Sequence, residues 1–157
     1  VSMYSGKWLY MDNEEDMFVT VFMGLLNIRS GEFCYVNAGH NRPLLRCGTD
    51  GFAWLPKADT CMIGIMEGLE FPVRKLQLNP GDCLFLYTDG VTEAMDPEGN
   101  LFTEGKLKDL LGTVPGEMEP KDILALVSQA VKDHAGEAEQ SDDVTMLGLL
   151  YKGQEKQ

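Results

Sequence analysis

Two short stretches each join an apolar, strand-like run to carboxylates: Leu84-Phe85-Leu86-Tyr87-Thr88-Asp89-Gly90 and Ser141-Asp142-Asp143-Val144-Thr145-Met146-Leu147. A carboxylate at the end of a buried strand is costly to desolvate unless something pairs with it, and a divalent cation suits a cluster of hard oxygens. The chemistry on offer is a magnesium or manganese site acting on phosphate. Each stretch also has a plainer reading. Asp89 before Gly90 suits an Asx turn that bonds nearby backbone N–H groups, and Asp142-Asp143 suits an exposed acidic loop. Residue types alone leave both readings open.

Other side chains are weighed in the same way. His40, in Gly39-His40-Asn41, is a general acid, a metal ligand or, as expected here, a ring that ties down a tight loop together with the Asn41 amide. Glu93 is placed to bond a metal-held water, with a surface position as the expectation. Arg42 and Arg46 are candidates for holding phosphate, and ordinary surface arginines are the expectation. His134 suits the C-terminal dipole of a helix. A covalent phosphatase of the haloacid-dehalogenase type needs Asp-x-Asp-Gly after an apolar strand, and Tyr87 stands at the nucleophile position, so that chemistry is not supported. Glycine patterns that cradle nucleotides are absent as well.

Composition narrows the field further. A chain of 157 residues with 44% hydrophobic content is long enough for one real core, and no apolar run approaches the roughly 20 residues of a membrane span. The net charge of −12 opposes nucleic-acid binding. Cys34, Cys47, Cys61 and Cys83 form no C-x-x-C pair, and small buried thiols in a reducing compartment are expected. With no basic-then-apolar leader, a cytoplasmic protein without membrane contact is expected. A start at Val1 gives the expectation of a piece of a longer chain.

The elements that must position these groups follow from periodicity and turn chemistry. Residues 1–16 read as a lead-in, a helix remnant ending in a loop. Strands are expected over Met17 to Asn27, Glu32 to Asn37, Leu44 to Cys47, Ala53 to Leu55, Met62 to Ile65, Phe71 to Leu78, Cys83 to Thr88 and Val144 to Tyr151. The last, mostly apolar, is expected to be central. Ser30-Gly31 predicts a hairpin and Asn79-Pro80-Gly81-Asp82 the strongest turn. Helices are expected at Thr103 to Leu111 and Pro120 to His134, the second with Pro120 in its first turn, Gly136 at its end, and Ile123, Leu124, Leu126, Val127, Ala130 and Val131 on its apolar face. The class is α+β with largely antiparallel sheets. The tail from Lys152 to Gln157 is polar.

In order along the chain, Met17-Phe18-Val19-Thr20, Val36-Asn37-Ala38-Gly39-His40-Asn41-x-Pro43-Leu44-Leu45, Pro80-Gly81-Asp82, Leu86-Tyr87-Thr88-Asp89-Gly90-Val91-Thr92-Glu93-Ala94 and Asp142-Asp143-Val144-Thr145 resemble the SpoIIE/RsbU-like branch of metal-dependent, PP2C-type serine/threonine protein phosphatases. The resemblance runs from about Met17 to Tyr151. It implies a β-sandwich flanked by helices, two Mn²⁺ or Mg²⁺ ions at the sandwich mouth, and water as nucleophile. It further implies that Asp89, with Gly90 beside it, and Asp142 hold metal, that Asp143 is a neighbouring or weaker ligand, and that Gly39, His40 and Asn41 form a structural loop near the site. The implied reaction is hydrolysis of phosphoserine or phosphothreonine on a protein, and the usual substrate in this branch is a phosphorylated anti-sigma-factor antagonist.

The same resemblance exposes a departure. A Gly-Gly-Asp-type strand and an Asp-x-Ser-Gly-type turn, whose acids complete the metal pair in this branch, do not occur ahead of Met17. The expectation is therefore the C-terminal portion of a catalytic domain, one partial domain over 1–157, lacking the first strands and weakly active or inactive alone. Exposed sheet edges make a homodimer one expected state. The alternative function is a non-catalytic module that holds a sigma-factor regulator without turning it over.

Overall fold

The computed structural model describes residues 17–57, 61–66, 68–140 and 142–154. The expected lead-in over 1–16 and the last three residues of the tail lie outside them. The strands are β1 (Val21–Leu26), β2 (Glu32–Ala38), β3 (Leu44–Arg46), β4 (Phe52–Trp54), β5 (Arg74–Gln77), β6 (Cys83–Tyr87) and β7 (Met146–Leu150). The helices are α1 (Asp89–Thr92), α2 (Thr103–Gly112) and α3 (Pro120–Ala135). All named strand pairs are antiparallel, in a three-stranded sheet ordered β1-β2-β5 and a four-stranded sheet ordered β4-β3-β6-β7. The α+β class with antiparallel sheets holds.

Strand alternation assigns each face. Phe33 and Tyr35 of β2 meet Leu84 of β6, with Phe22, Leu76, Leu86 and Leu149 packed around them, which makes the core between the sheets. Leu44, Phe85 and Tyr87 point the other way, into a larger core built with Leu107 and Leu111 of α2 and Ile123, Val127 and Val131 of α3. Pro120 begins α3, and the Gly136 N–H closes it onto the Lys132 carbonyl. Among the described residues the order of layers is thus sheet, sheet, helices, with the helices of the expected flanking layers present against the four-stranded sheet.

Several expectations change. Met62 to Ile65 is not a strand: Ile63 makes one isolated bridge to Val19, and Gly64 at φ 102° turns the backbone out of the extended region. Pro72, without an N–H, shortens the expected strand over Phe71 to Leu78 to β5. Among the described residues the final strand is not central, since β7 pairs there only with β6 at the end of its sheet. Its apolar residues serve the two cores on either face instead, and Gly148 leaves room for Pro120, whose Cβ lies 2.8 Å from where a glycine-borne Cβ would sit. Of the four free cysteines only Cys83 is buried. Cys34 faces outward from β2, and Cys47 and Cys61 lie in exposed loop positions. Arg46 is no surface residue: it is 1% exposed, donates to the Pro115 and Met118 carbonyls at 3.2 Å each, and lies against the Phe52 ring.

The turn that launches β6 is fixed by a buried carboxylate. Asp82, 2% exposed, accepts from the Gly48 N–H through Oδ1 at 2.8 Å and from the Asn79 N–H through Oδ2 at 2.7 Å. Gly81 takes φ 97°, a conformation that favours glycine. Replacing Asp82 by Ala leaves both donors without their charged acceptor, and we expect a loss of about 2–4 kcal/mol in urea denaturation. A change under about 0.5 kcal/mol would show that the turn does not depend on this side chain.

Candidate metal centre

The site is a consequence of register. Tyr87 at the end of β6 opposes Met146 at the start of β7. One step further, the Thr88 N–H donates to the Thr145 carbonyl at 3.0 Å, and Thr145 returns its N–H to Thr88 Oγ1 at 3.0 Å. The same hydroxyl donates to the Asp143 carbonyl at 2.8 Å. Two steps on, Gly90 meets the loop of Asp142 and Asp143: a Cβ on Gly90 would lie 2.6 Å from the Asp143 carbonyl oxygen and 3.2 Å from that of Asp142. Sequence-distant Asp89 and Asp142 therefore emerge at the same rim because neighbouring antiparallel strands end and begin there.

Local hydrogen bonds hold each carboxylate. Asp89 Oδ1 accepts from the Gly90 N–H at 3.1 Å, and Asp142 Oδ1 accepts from the Asp143 N–H at 2.7 Å. Each bond runs to the next residue's N–H and uses one oxygen, so Asp89 does not form the Asx turn, while Asp142 and Asp143 lie exposed in an acidic loop. Gln140 Nε2 donates to the Asp142 carbonyl at 2.7 Å, bracing that loop. The one-turn helix α1, read from the sequence only as a sharp turn, starts at Asp89 and buries Gly90, Val91 and Thr92. Glu93 is exposed, as expected, and its N–H closes the helix onto the Asp89 carbonyl at 2.7 Å.

The Gly39-His40-Asn41 loop stands on the other flank. Asn37 clamps it from both sides, accepting the His40 N–H at 2.8 Å and donating to the His40 carbonyl at 3.0 Å. Gly39 at φ 72° runs so close to Met62 that a Cβ would lie 2.9 Å from its backbone nitrogen. Burial lowers the His40 pKa below the ordinary imidazole value, and the nearby negative charge of Asp89 opposes that fall, so the ring is neutral at pH 7. Its Nδ1 lies 3.4 Å from Thr20 Oγ1.

Next to this loop the sequence reading missed a polar group. The Tyr87 hydroxyl donates to Glu104 Oε1 at 3.4 Å. Burial first, then the Glu104 charge, pushes the Tyr87 pKa well above the normal phenol range. Arg42 is held by a 2.9 Å bond from Nε to the Leu55 carbonyl and lies over the Trp54 ring at 5.5 Å. Nothing in the spacing of Glu104 linked it to Tyr87; the backbone of Thr103, at φ 69°, a conformation strained for a β-branched residue, sets the entry to α2. His134 is not confined to a dipole role, since its Nε2 lies 3.0 Å from the Asn100 carbonyl and its ring packs edge-on against Phe102.

Asp89, Asp142 and the Gly90 carbonyl are hard oxygen donors of the type magnesium and manganese take. Among the described residues no three His, Cys, Asp or Glu side chains stand together as a complete metal cage. The chemistry of these oxygen donors fits a divalent cation.

Comparison with known proteins settles the family. Residues 7–152 match the family model described as Stage II sporulation protein E (SpoIIE). This chain belongs to the SpoIIE family. It is 32% identical to protein IcfG of Synechocystis over 134 residues, covering 85% of the chain and 20% of that protein. It is 31% identical to phosphoserine phosphatase RsbP of Bacillus subtilis over 128 residues, covering 82% of the chain and 31% of the relative. The chain thus spans less than a third of either relative. Among solved structures, the RsbU and RsbW domains of Rv1364c from Mycobacterium tuberculosis match at 31% identity and TM-score 0.63, over 82% of this chain and 35% of that one. The PP2C phosphatase domain of SpoIIE from Bacillus subtilis, with a fragment of its regulatory domain, matches at 19% identity and TM-score 0.72, over 91% and 41%. The SpoIIE-family chain therefore has a PP2C-like fold. Among its described residues no helix is long and apolar enough to cross a membrane.

The close approach at Gly90 generates a test. Gly90→Ala drives a methyl group into the Asp143 carbonyl and is expected to cost about 1–3 kcal/mol. Gly105→Ala, inside α2 with its nearest obstacle at 3.7 Å, is expected to gain about 0.5–1 kcal/mol. Equal urea midpoints for the two variants would contradict the packing of α1 against the Asp142-Asp143 loop.

Proposed function

We propose that this chain contributes part of the active site of a protein phosphatase that hydrolyses phosphoserine or phosphothreonine with Mn²⁺ or Mg²⁺. In this reading its substrate is a phosphorylated anti-sigma-factor antagonist and its setting is bacterial sigma-factor signalling in the cytoplasm. The observation that carries the proposal is the meeting of Asp89 and Gly90 with Asp142 and Asp143 at one rim. Support comes from membership of the SpoIIE family, from the name of RsbP as a phosphoserine phosphatase, and from the pairing of RsbU and RsbW domains in Rv1364c.

Asp89 and Asp142 would hold the metal, with the Gly90 carbonyl beside them and Asp143 as a weaker or supporting ligand. When bound, a divalent ion pair supplies Lewis-acid polarisation of the phosphoryl group and an activated water. The chain's own contribution is positional. Thr88 ties the Asp143 carbonyl to the end of β6, Gln140 braces Asp142, and the shared strand register fixes the spacing between the two acids before any ion arrives. Such preorganisation lowers the entropic cost of assembling the site. Neutral His40 and the Asn37 clamp bound the site on the other side without adding charge.

Two carboxylates and a weaker neighbour balance a pair of doubly charged ions poorly, so the 157-residue chain alone is expected to show little manganese-dependent hydrolysis of p-nitrophenyl phosphate. Robust turnover by it would contradict that. In the intact protein, Asp89→Asn and Asp142→Asn should each lower phosphate release from a phosphoserine protein at limiting Mn²⁺ by about 100-fold or more, exceeding the roughly 10–100-fold typical of outer-shell partners. Full turnover in both variants would overturn the ligand assignment.

A further inference from the structure

Beside the metal centre, on the flank of the Gly39-His40-Asn41 loop, lies a concavity of about 460 Å³. Its wall carries His40, Arg42, Lys57 and Glu104. Two permanent cations facing one hollow stand out in a chain of net charge −12. Arg42 is not a loose surface side chain. Its Nε is committed to the Leu55 carbonyl and its Cζ lies over the Trp54 ring, 5.5 Å from the centroid, so the guanidinium is tethered at two points. The two terminal amino groups retain four N–H donors, the fork that suits a carboxylate or phosphate oxygen pair. Glu104, the acid on this wall, is engaged by the Tyr87 hydroxyl.

The hollow adjoins the metal centre through His40, which feels the charge of Asp89. An extended peptide advances about 3.3 Å per residue, so a residue one to three positions from a phosphoserine at the rim spans about 3–10 Å. We propose that this hollow is a docking subsite for acidic side chains flanking the phosphorylated residue of the protein substrate, with Arg42 gripping a carboxylate in bidentate fashion and Lys57 supplying a second positive charge. The proposal rests on the phosphatase reading for the position of the phosphoserine. The acidity of the chain sharpens it: net charge repels an acidic peptide, so any preference for one must come from a local cationic site.

Two fluorescein-labelled phosphoserine peptides, alike except for Glu or Gln at the flanking positions, test this by fluorescence anisotropy with the 157-residue chain. The expected result is about tenfold tighter binding of the Glu-flanked peptide. Arg42→Gln should reduce that ratio below about twofold, as should 0.5 M salt, which screens an exposed charge pair. Equal binding of both peptides by the unaltered chain overturns the proposal whatever the variants do, and so does a ratio unchanged in the Arg42→Gln, Lys57→Gln double variant. Phosphate release by the intact protein is read separately. Acid preference without release from either peptide would refute the phosphatase reading and leave an acidic-peptide site, whereas release without acid preference would refute only the docking subsite.

Discussion

The antiparallel register of β6 and β7 is the constraint on which the rest depends. Strand hydrogen bonding sets where Tyr87 meets Met146, and a slip of one residue would turn every side chain of β7 to the opposite face. That slip is opposed by both cores at once, because Met146 and Leu150 pack toward the helices while Leu149 packs toward the other sheet. The site inherits its spacing from this packing. Asp89, which opens α1 just after β6, and Asp142, in the loop just before β7, are brought to one rim because those two strands are paired, and the Thr88 hydroxyl extends that pairing past the last regular residues.

Glycine completes the arrangement where backbone must approach backbone. Gly90 lets α1 begin against the Asp143 carbonyl, and Gly39 lets the neighbouring loop press on Met62. A side chain at either position would separate the elements that frame the rim. The neighbouring hollow is built on the same terms: Tyr87, the last residue of β6, anchors Glu104 from α2, while Trp54 on β4 supports Arg42. The carboxylate rim and the hollow therefore adjoin the end of one strand, so the proposed metal site and the proposed docking subsite are tied to the same element.

Much of this was legible in the sequence because local chemistry and global fold agree. The Asn79 to Asp82 turn, the apolar face of α3 and the carboxylates at the ends of apolar strands could be read directly. The β1-β2 hairpin was too: the Asn27 side chain accepts from the Arg29 and Ser30 N–H groups, and Gly31 takes φ 77°. What escaped depended on tertiary partners. Nothing in the run of Val144 to Tyr151 shows whether it is covered by a strand or a helix, so its apolarity suggested a central strand where, among the described residues, it lies at a sheet end. Arg46 looked like surface charge because its acceptors, the Pro115 and Met118 carbonyls, are far away in sequence. The Tyr87–Glu104 pair and the Arg42–Trp54 contact were hidden for the same reason.

The most direct test of the central claim is a manganese titration of the isotopically labelled chain, followed through paramagnetic broadening of its backbone amide signals. The account predicts that Asp89, Gly90, Asp142 and Asp143 broaden together at the lowest Mn²⁺ concentrations. Earliest broadening at another acidic stretch, such as Glu117 and Glu119, with the strand-end pair unaffected, would contradict it.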